Sequence, residues 1–178
     1  RRIHQFVRFP FALYKGVAAW SPDGLLRDQY RQLDPERHPF YSHSTAVFFL
    51  AVTGGRVVGR IAGINNRPFN EHHSSRTAFF GLLEFEDDPS IVGRLLSAVK
   101  SWARTQGLER LEGPRGLLGF DGGVRVEGFG QEPILGVPYS HPYYDHRIRQ
   151  AGLEPGEDFL TGQLRTDTSI PDGIFAVA

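Results

Sequence analysis

Cysteine is absent from the sequence, which excludes disulfide bonds and metal sites built on thiolates. A chain without disulfides suits a reducing compartment, so we expect a cytoplasmic protein. Long apolar runs are absent too, and no stretch approaches the roughly 20 apolar residues that a membrane-spanning helix needs. The sequence therefore predicts no membrane span.

An excess of charge is also missing. Lys plus Arg and Asp plus Glu number 20 each, so the formal net charge is zero at pH 7. A neutral protein has no overall field that attracts polyanions, so we expect neither nucleic acid nor a membrane as partner. The 40% of hydrophobic residues and 22% of charged residues are ordinary for a globular chain and argue against disorder.

Methionine is the third absence, and it extends to position 1. Because translation begins with methionine, we expect the native polypeptide to extend beyond these residues. The length of 178 residues fits one domain with a short tail.

Helices are predicted for the first part of the chain. Apolar residues recur at helical spacing through residues 3–14, where Pro10 should kink or interrupt the helix. A second, short helix is predicted from Gly24 to Leu33, because the following Asp34-Pro35 pair disfavours helical backbone.

A β-hairpin is the clearest local pattern. Residues 45–53 (TAVFFLAVT) and 57–64 (VVGRIAGI) are rich in β-branched and aromatic side chains. Gly54 and Gly55 between them supply the positive φ angles of a tight turn. Residues 67–76 are polar and are predicted to form a loop.

A buried strand and a helix follow. Residues 77–86 (TAFFGLLEFE) are apolar on both faces, which predicts a central strand covered on both sides. Gly81 inside it indicates a bulge or close backbone approach, or simply makes room for a helix. Asp88 and Pro89 suit the start of a helix that Gly107 ends. A strand at residues 108–112 would complete a right-handed parallel crossover.

The C-terminal part is less regular. Residues 113–130 are rich in glycine and could form the wall of a ligand site. Beyond them we predict a strand at residues 134–137, a helix at residues 139–151 that Gly152 ends, and a last strand at residues 159–164. The order of elements predicts an α/β or α+β domain.

This order resembles that of the GCN5-related N-acetyltransferases (GNAT). Segments that resemble a group of bacterial GNAT-like proteins include FVRFPFALY (6–14), DPERHPFYSH (34–43), GRIAGINNRPFNEHH (59–73) and PYSHPYYDHRIRQAGLE (138–154). Proteins of that group look like two GNAT halves in tandem, and this chain resembles the first half.

The resemblance implies a GNAT-like fold, a mixed and mostly antiparallel sheet flanked by helices, over residues 1–165. Its first strand would precede residue 1, and residues 166–178 would be a tail or linker. The implied partner is a second GNAT-like domain in the same polypeptide, or a second copy in a homodimer.

The resemblance also implies acetyl-CoA or another acyl-CoA as co-substrate and an amine or other small molecule as acceptor. Pantetheine would pair with the main chain of the central strand, and the pyrophosphate would lie at the N-terminus of the following helix. The cofactor-binding positions implied in this way are Leu82, Leu83, Phe85, Ser90, Val92, Gly93 and Arg94.

One departure from the GNAT pattern concerns the pyrophosphate loop. The expected Q/R-x-x-G-x-G/A is absent, and only Gly93 with Arg94 echoes it. The acidic run at residues 86–88 stands where the phosphates would lie, and like charges repel. The same run is also what a well-capped structural helix requires.

GNAT enzymes transfer an acyl group directly to an amine, with a base for the amine proton and an acid for the thiolate. By resemblance, Glu84 is the candidate base and Tyr144 the candidate acid, with Tyr143 and His141 at the substrate. Other interpretations stay open, since paired tyrosines also anchor helices against a core and Glu84 would also suit an exposed strand end.

Other chemistries find no support. The seven histidines show no metal-ligand spacing, so we expect no metal. Neither a G-x-S-x-G elbow nor a phosphate-binding glycine loop occurs. Three hypotheses remain: an acyl-CoA-dependent N-acyltransferase domain, a non-catalytic GNAT-fold domain that supports a second, active half, or a small-molecule binding module that uses the same cleft.

Overall fold

A computed structural model describes residues 2–22, 24–117, 123–131 and 137–159 of the chain. Its elements in chain order are α1 (Arg2–Leu13), α2 (Leu26–Gln32), a 3₁₀ turn (Pro39–Ser42), β1 (Thr45–Thr53), β2 (Arg56–Asn65), α3 (Arg67–His72), β3 (Thr77–Phe85), α4 (Pro89–Thr105), β4 (Arg110–Glu112) and α5 (Tyr143–Gln150). Within the described ranges, no helix is long and apolar enough to cross a membrane.

The four strands form one mixed sheet in the order β1-β2-β3-β4. Strand β2 is antiparallel to both of its neighbours, β1 and β3, whereas β4 is parallel to β3. The predicted class, a mostly antiparallel mixed sheet flanked by helices, is confirmed, and the arrangement is compatible with an acyltransferase-like α+β fold.

Strand β3 has two different halves. Its pairing with β2 continues to Phe85, but its pairing with β4 covers only three positions, from Thr77 to Phe79. Beyond Phe79 the outer edge of β3 turns to other partners, beginning with Phe80, whose carbonyl accepts a hydrogen bond from the Arg115 N–H at 2.7 Å. Strand β4 therefore ends before the part of β3 that carries Glu84.

Both faces of β3 are covered, as its apolar sequence predicts. On one face, Phe80 and Phe85 pack in a cluster with α4 and α5. On the other face, Phe79 packs with Phe40 and Ile64, next to a cluster formed by α1 and α2. Because β3 lies between these layers, a polar side chain on it must find its partners inside the protein.

Several local predictions are confirmed. The hairpin joins β1 and β2 through Gly54 and Gly55, both of which have positive φ. Helix α4 begins with Pro89 after Asp88, whose carboxylate accepts the Ser90 N–H at 2.7 Å.

Two other predictions need correction. Residues 67–76 are not simply a loop, because α3 lies within them: the Asn66 side chain accepts the Phe69 N–H at 3.1 Å and starts the helix. The predicted helix at residues 139–151 begins only at Tyr143, since Pro142 lacks an N–H and fits only the start of a helix. The strands predicted at 134–137 and 159–164, and the tail at 166–178, lie wholly or almost wholly outside the described residues.

Gly81 allows a close backbone approach next to an irregularity in the sheet. The β2–β3 register shifts between Arg60 and Ala62, and Ala62 lies opposite Gly81. A Cβ atom on Gly81 would lie 2.1 Å from the carbonyl oxygen of Arg115. The glycine therefore makes room for the backbone that follows β4, not for a helix.

We expect Gly81→Ala to lower the free energy of unfolding by about 1–3 kcal/mol, since the contact with the Arg115 carbonyl requires the backbone to move. Gly93→Ala is the matched control: a Cβ there meets nothing within 4 Å. Because Gly93 is inside α4, its replacement should stabilise the protein by up to about 1 kcal/mol. Urea unfolding of both variants measures the change in the free energy of unfolding. Equal changes would contradict the close backbone approach at Gly81.

Candidate functional site

A carboxylate lies at the centre of the candidate site. Glu84 sits near the end of β3, and its side chain retains 15% of its accessible surface. Two tyrosine hydroxyls donate to its Oε2 atom, Tyr14 at 2.5 Å and Tyr144 at 2.7 Å. Tyr14 follows α1 and Tyr144 lies in the first turn of α5, so the carboxylate joins elements from both ends of the described chain.

A buried cation faces the same carboxylate. Arg60 on β2 is paired across the sheet with Glu84, and its Nη2 lies 3.9 Å from Glu84 Oε1. The other terminal nitrogen donates to the Phe6 carbonyl of α1 at 3.0 Å, and the guanidinium lies over the Phe6 ring. Arg60 therefore bridges α1 and the carboxylate.

Burial governs the protonation of this group. It raises the pKa of the Glu84 carboxyl above its usual value, against the opposing effects of the Arg60 charge and the hydrogen bonds from Tyr14 and Tyr144. Burial and the Glu84 charge both raise the pKa of Tyr14 and of Tyr144. The tyrosines therefore remain protonated donors, and Glu84 is the group suited to accept a proton.

Tyrosines also occupy the free edge of β3. The Tyr144 hydroxyl accepts the Phe85 N–H at 3.1 Å, and the Tyr143 hydroxyl donates to the Phe85 carbonyl at 2.6 Å. This edge is where the resemblance places pantetheine, at Leu82, Leu83 and Phe85. A ligand that pairs with the main chain of Phe85 would compete with both hydroxyls for these groups.

His141 belongs to a stack of aromatic rings beside the carboxylate. Its ring is stacked between those of Tyr14 and Tyr143, with centroids 4.6 and 5.2 Å away. Trp20 stacks on the other side of Tyr14 at 5.2 Å. Burial lowers the pKa of His141, against a hydrogen bond to the Leu13 carbonyl, which favours a neutral ring in this stack.

The structure thus brings five predicted site residues together around the carboxylate. Glu84, Phe85, His141, Tyr143 and Tyr144 form one cluster. Leu82 and Leu83 also lie on β3, where Leu82 has a positive φ of 49° and Leu83 is buried in the core.

The remaining predicted residues lie on the first turns of α4, where little is available to a phosphate. The Ser90 N–H is bonded to Asp88, and Val92 is fully buried in the core. Gly93 has open space around it, and Arg94 is exposed. These residues do not form a ready pyrophosphate site.

The acidic run before α4 is neutralised within the protein. Glu86 forms a two-pronged ion pair with Arg56 on β2, and Asp87 pairs with Arg147 on α5 at 2.7 Å. Asp88 caps the helix. The expected repulsion of phosphates is therefore weaker than three unpaired carboxylates would give, but the helix N-terminus is already occupied.

Sequence reasoning missed Tyr14 and Arg60. Arg60 had a signal, since it is the one charged residue in the apolar segment VVGRIAGI, and a buried strand seldom carries an unpaired charge. Tyr14 had none, because its bond to Glu84 spans 70 residues of sequence.

Two curated proteins match nearly the whole chain. Protein YghO of Escherichia coli (strain K12) is 30% identical over 164 residues, which cover 91% of this chain and 42% of that protein. Bacterial ceramide synthase of Caulobacter vibrioides (strain NA1000 / CB15N) is 27% identical over 172 residues, which cover 96% of this chain and 44% of that protein. The chain therefore spans less than half the length of these relatives.

No protein-family profile matches the chain, and no solved structure matches it significantly.

The raised pKa of Glu84 makes stability depend on pH. Above the ordinary glutamate value of 4.5, the unfolded chain loses this proton while the folded protein still holds it. Folded stability relative to Glu84→Gln should therefore fall as pH rises from that value to the folded pKa of Glu84. Urea unfolding of both proteins across this range measures the difference, and a difference that rises with pH would contradict a raised pKa.

The Asp88 cap gives a second prediction. Asp88→Ala should lower the melting temperature by a few degrees, because the Ser90 N–H loses its partner, whereas Asp88→Ser keeps an oxygen at the cap and should lower it less. Thermal unfolding followed by circular dichroism compares the two. Equal losses would show that the charge of Asp88, not its cap, matters.

Proposed function

We propose that this chain is a GNAT-like acyl-transfer domain that helps to move an acyl group from a thioester to an amine. The observation that carries the proposal is the Glu84 carboxylate, mostly buried on the part of β3 that extends beyond β4 and held there by two tyrosines. A carboxylate in this setting is suited to accept the proton that an amine loses when it becomes an amide.

The name of one relative supports the choice of acceptor. This relative is named a ceramide synthase, and a ceramide is an amide between a fatty acid and a long-chain amino alcohol. We therefore propose a long-chain amino alcohol as the amine. Because the chain covers 44% of that relative, the proposal concerns a domain and not the activity of the whole relative.

The reaction balances within the described site. The amine nitrogen attacks the thioester carbonyl carbon, a C–N bond forms, and the C–S bond breaks. The proton released from nitrogen goes to Glu84. The sulfur takes a proton from Tyr144, and the proton that Glu84 accepted then restores the Tyr144 hydroxyl, which lies 2.7 Å from the carboxyl group. Each turnover thus leaves both side chains as they began.

The environment of Glu84 suits this role. A base accepts protons best when its pKa is near the working pH, and an ordinary glutamate is too weak a base at neutrality. Burial raises the pKa of Glu84 in the required direction, while Arg60 limits the rise. His141 and Tyr143, stacked beside the carboxylate, form the proposed wall for the acceptor.

The donor is proposed only as an acyl thioester. Acyl-CoA is the donor that the resemblance implies, but the first turn of α4 does not fit a pyrophosphate, because Asp88 already accepts the Ser90 N–H and Val92 faces the core. If acyl-CoA is the donor, its phosphates lie elsewhere on the polypeptide.

A non-catalytic role is the second candidate. It is favoured by the hydroxyls of Tyr143 and Tyr144, which occupy the main chain of Phe85, where a pantetheine would pair. In that case the domain supports an active second GNAT-like domain, in the same polypeptide or in a homodimer. A cytoplasmic location is proposed for either role.

Glu84→Gln tests the catalytic role. We expect amide formation from an acyl thioester and a long-chain amino alcohol to fall by about 10²–10⁴-fold, the usual contribution of a general base. Glu109→Gln is the matched control, since Glu109 is exposed and pairs with Arg76 at 2.7 Å. Mass spectrometry of the amide measures the rate.

Two outcomes would contradict the proposal. One is amide formation by Glu84→Gln at the rate of the unaltered protein. The other is no amide from the folded protein with acyl-CoA or with an acylated carrier protein as donor, which would favour the non-catalytic role.

A further inference from the structure

We propose that Arg60 and Tyr14 are positioning residues, which hold the Glu84 carboxylate in its charged form with Oε1 as the proton-accepting oxygen. The inference rests on the proposed function, in which Glu84 is the base. It adds Arg60 and Tyr14 to the proposed machinery, and it links helix α1 to Glu84 through the bond between Arg60 and the Phe6 carbonyl.

Tyr14 fixes one oxygen of the carboxylate. Its hydroxyl donates to Oε2 at 2.5 Å, and the Tyr144 hydroxyl donates to the same atom at 2.7 Å. Tyr14 is itself held firmly, because its ring is almost fully buried and stacked between Trp20 and His141. With both described hydrogen bonds on Oε2, the carboxylate cannot rotate without breaking them.

Arg60 sets the charge next to the other oxygen. Its Nη2 lies 3.9 Å from Oε1, which is an ionic distance but too long for a good hydrogen bond. Nη1 of the same guanidinium donates to the Phe6 carbonyl at 3.0 Å. Arg60 therefore favours the carboxylate without closing off Oε1.

The groups that face Glu84 come from three elements. Arg60 on β2 and the hydroxyls of Tyr14 and Tyr144 favour the charged carboxylate, whereas burial disfavours it. Tyr143 on α5 lies near enough for the Glu84 charge to contribute to its raised pKa. Arg60 is the one cation in this set, and its charge is the largest effect that opposes burial.

Helix α1 supports both positioning residues. The Phe6 carbonyl on its buried face holds Arg60, and Tyr14 follows its last residue. A shift of α1 would therefore change the contacts of both carboxylate oxygens together. The packing of α1 against the sheet therefore positions the Glu84 carboxylate as well as stabilising the fold.

Carboxyl ¹³C NMR titration of the whole chain tests the inference without an activity assay. The Glu84 signal is assigned by its loss in Glu84→Gln. We expect its titration midpoint to move upward in Arg60→Met, and upward by less in Tyr14→Phe. Arg60→Lys keeps the charge, so its Glu84 midpoint should stay closer to that of the unaltered protein.

Arg76→Met is the matched control, because Arg76 pairs with Glu109 on the surface and should leave the Glu84 midpoint unchanged. Circular dichroism verifies that each variant is folded. An unchanged Glu84 midpoint in folded Arg60→Met would overturn the role of Arg60. If that variant does not fold, Arg60→Gln replaces it. If neither neutral variant folds, Tyr14→Phe decides, and an unchanged midpoint there overturns the inference.

Kinetics separate this inference from the proposed function. If Glu84 is the base, the acidic limb of the kcat/KM profile should move to higher pH in Arg60→Met and partly return in Arg60→Lys. A moved NMR midpoint without a moved acidic limb would confirm the positioning of Glu84 and contradict its role as base.

Discussion

The interaction on which the rest of the structure depends is the compensation of one buried carboxylate. A charged group inside a protein is strongly unfavourable unless other groups pair with it and hydrogen-bond to it. Glu84 finds its partners on three separate elements: Arg60 on the neighbouring strand, Tyr14 after the first helix and Tyr144 on the last described helix. Folding must bring these elements together before the charge is stable, so the site and the fold depend on the same contacts.

The hydrogen bonding of β3 beyond the end of β4 follows the same logic. Where β4 ends, the main chain of β3 loses a neighbouring strand but not its need for hydrogen bonds. Arg115 satisfies Phe80, and the hydroxyls of Tyr143 and Tyr144 satisfy Phe85. Tyr144 therefore serves the strand edge and the carboxylate at once. A ligand that pairs with this edge changes the hydrogen bonding of Glu84 in the same step.

Local features were predictable from sequence because neighbouring residues determine them. The glycine pair at 54 and 55 specifies a hairpin, and Asp88 with Pro89 specifies the start of α4. The separation of Tyr14 from Glu84 by 70 residues leaves no local signature, so their contact was not predicted. The sequence indicated Glu84 and Tyr144 through a family resemblance, and the structure adds that they are bonded to each other.

The acidic run before α4 shows that the effect of a charge cannot be judged without its partners in the folded protein. From the sequence we expected its three carboxylates to repel phosphates, yet two of them pair with Arg56 and Arg147. What argues against a phosphate there is the occupied helix end, not the charge itself. In the proposed reaction, proton transfer depends on Glu84, which lies inside the sheet, whereas binding of a phosphate would depend on the N-terminus of α4. Phosphate binding can therefore be lost while proton transfer is kept, or the reverse. An acyl-transfer site without a pyrophosphate loop is therefore physically consistent, provided that the donor is held by other groups.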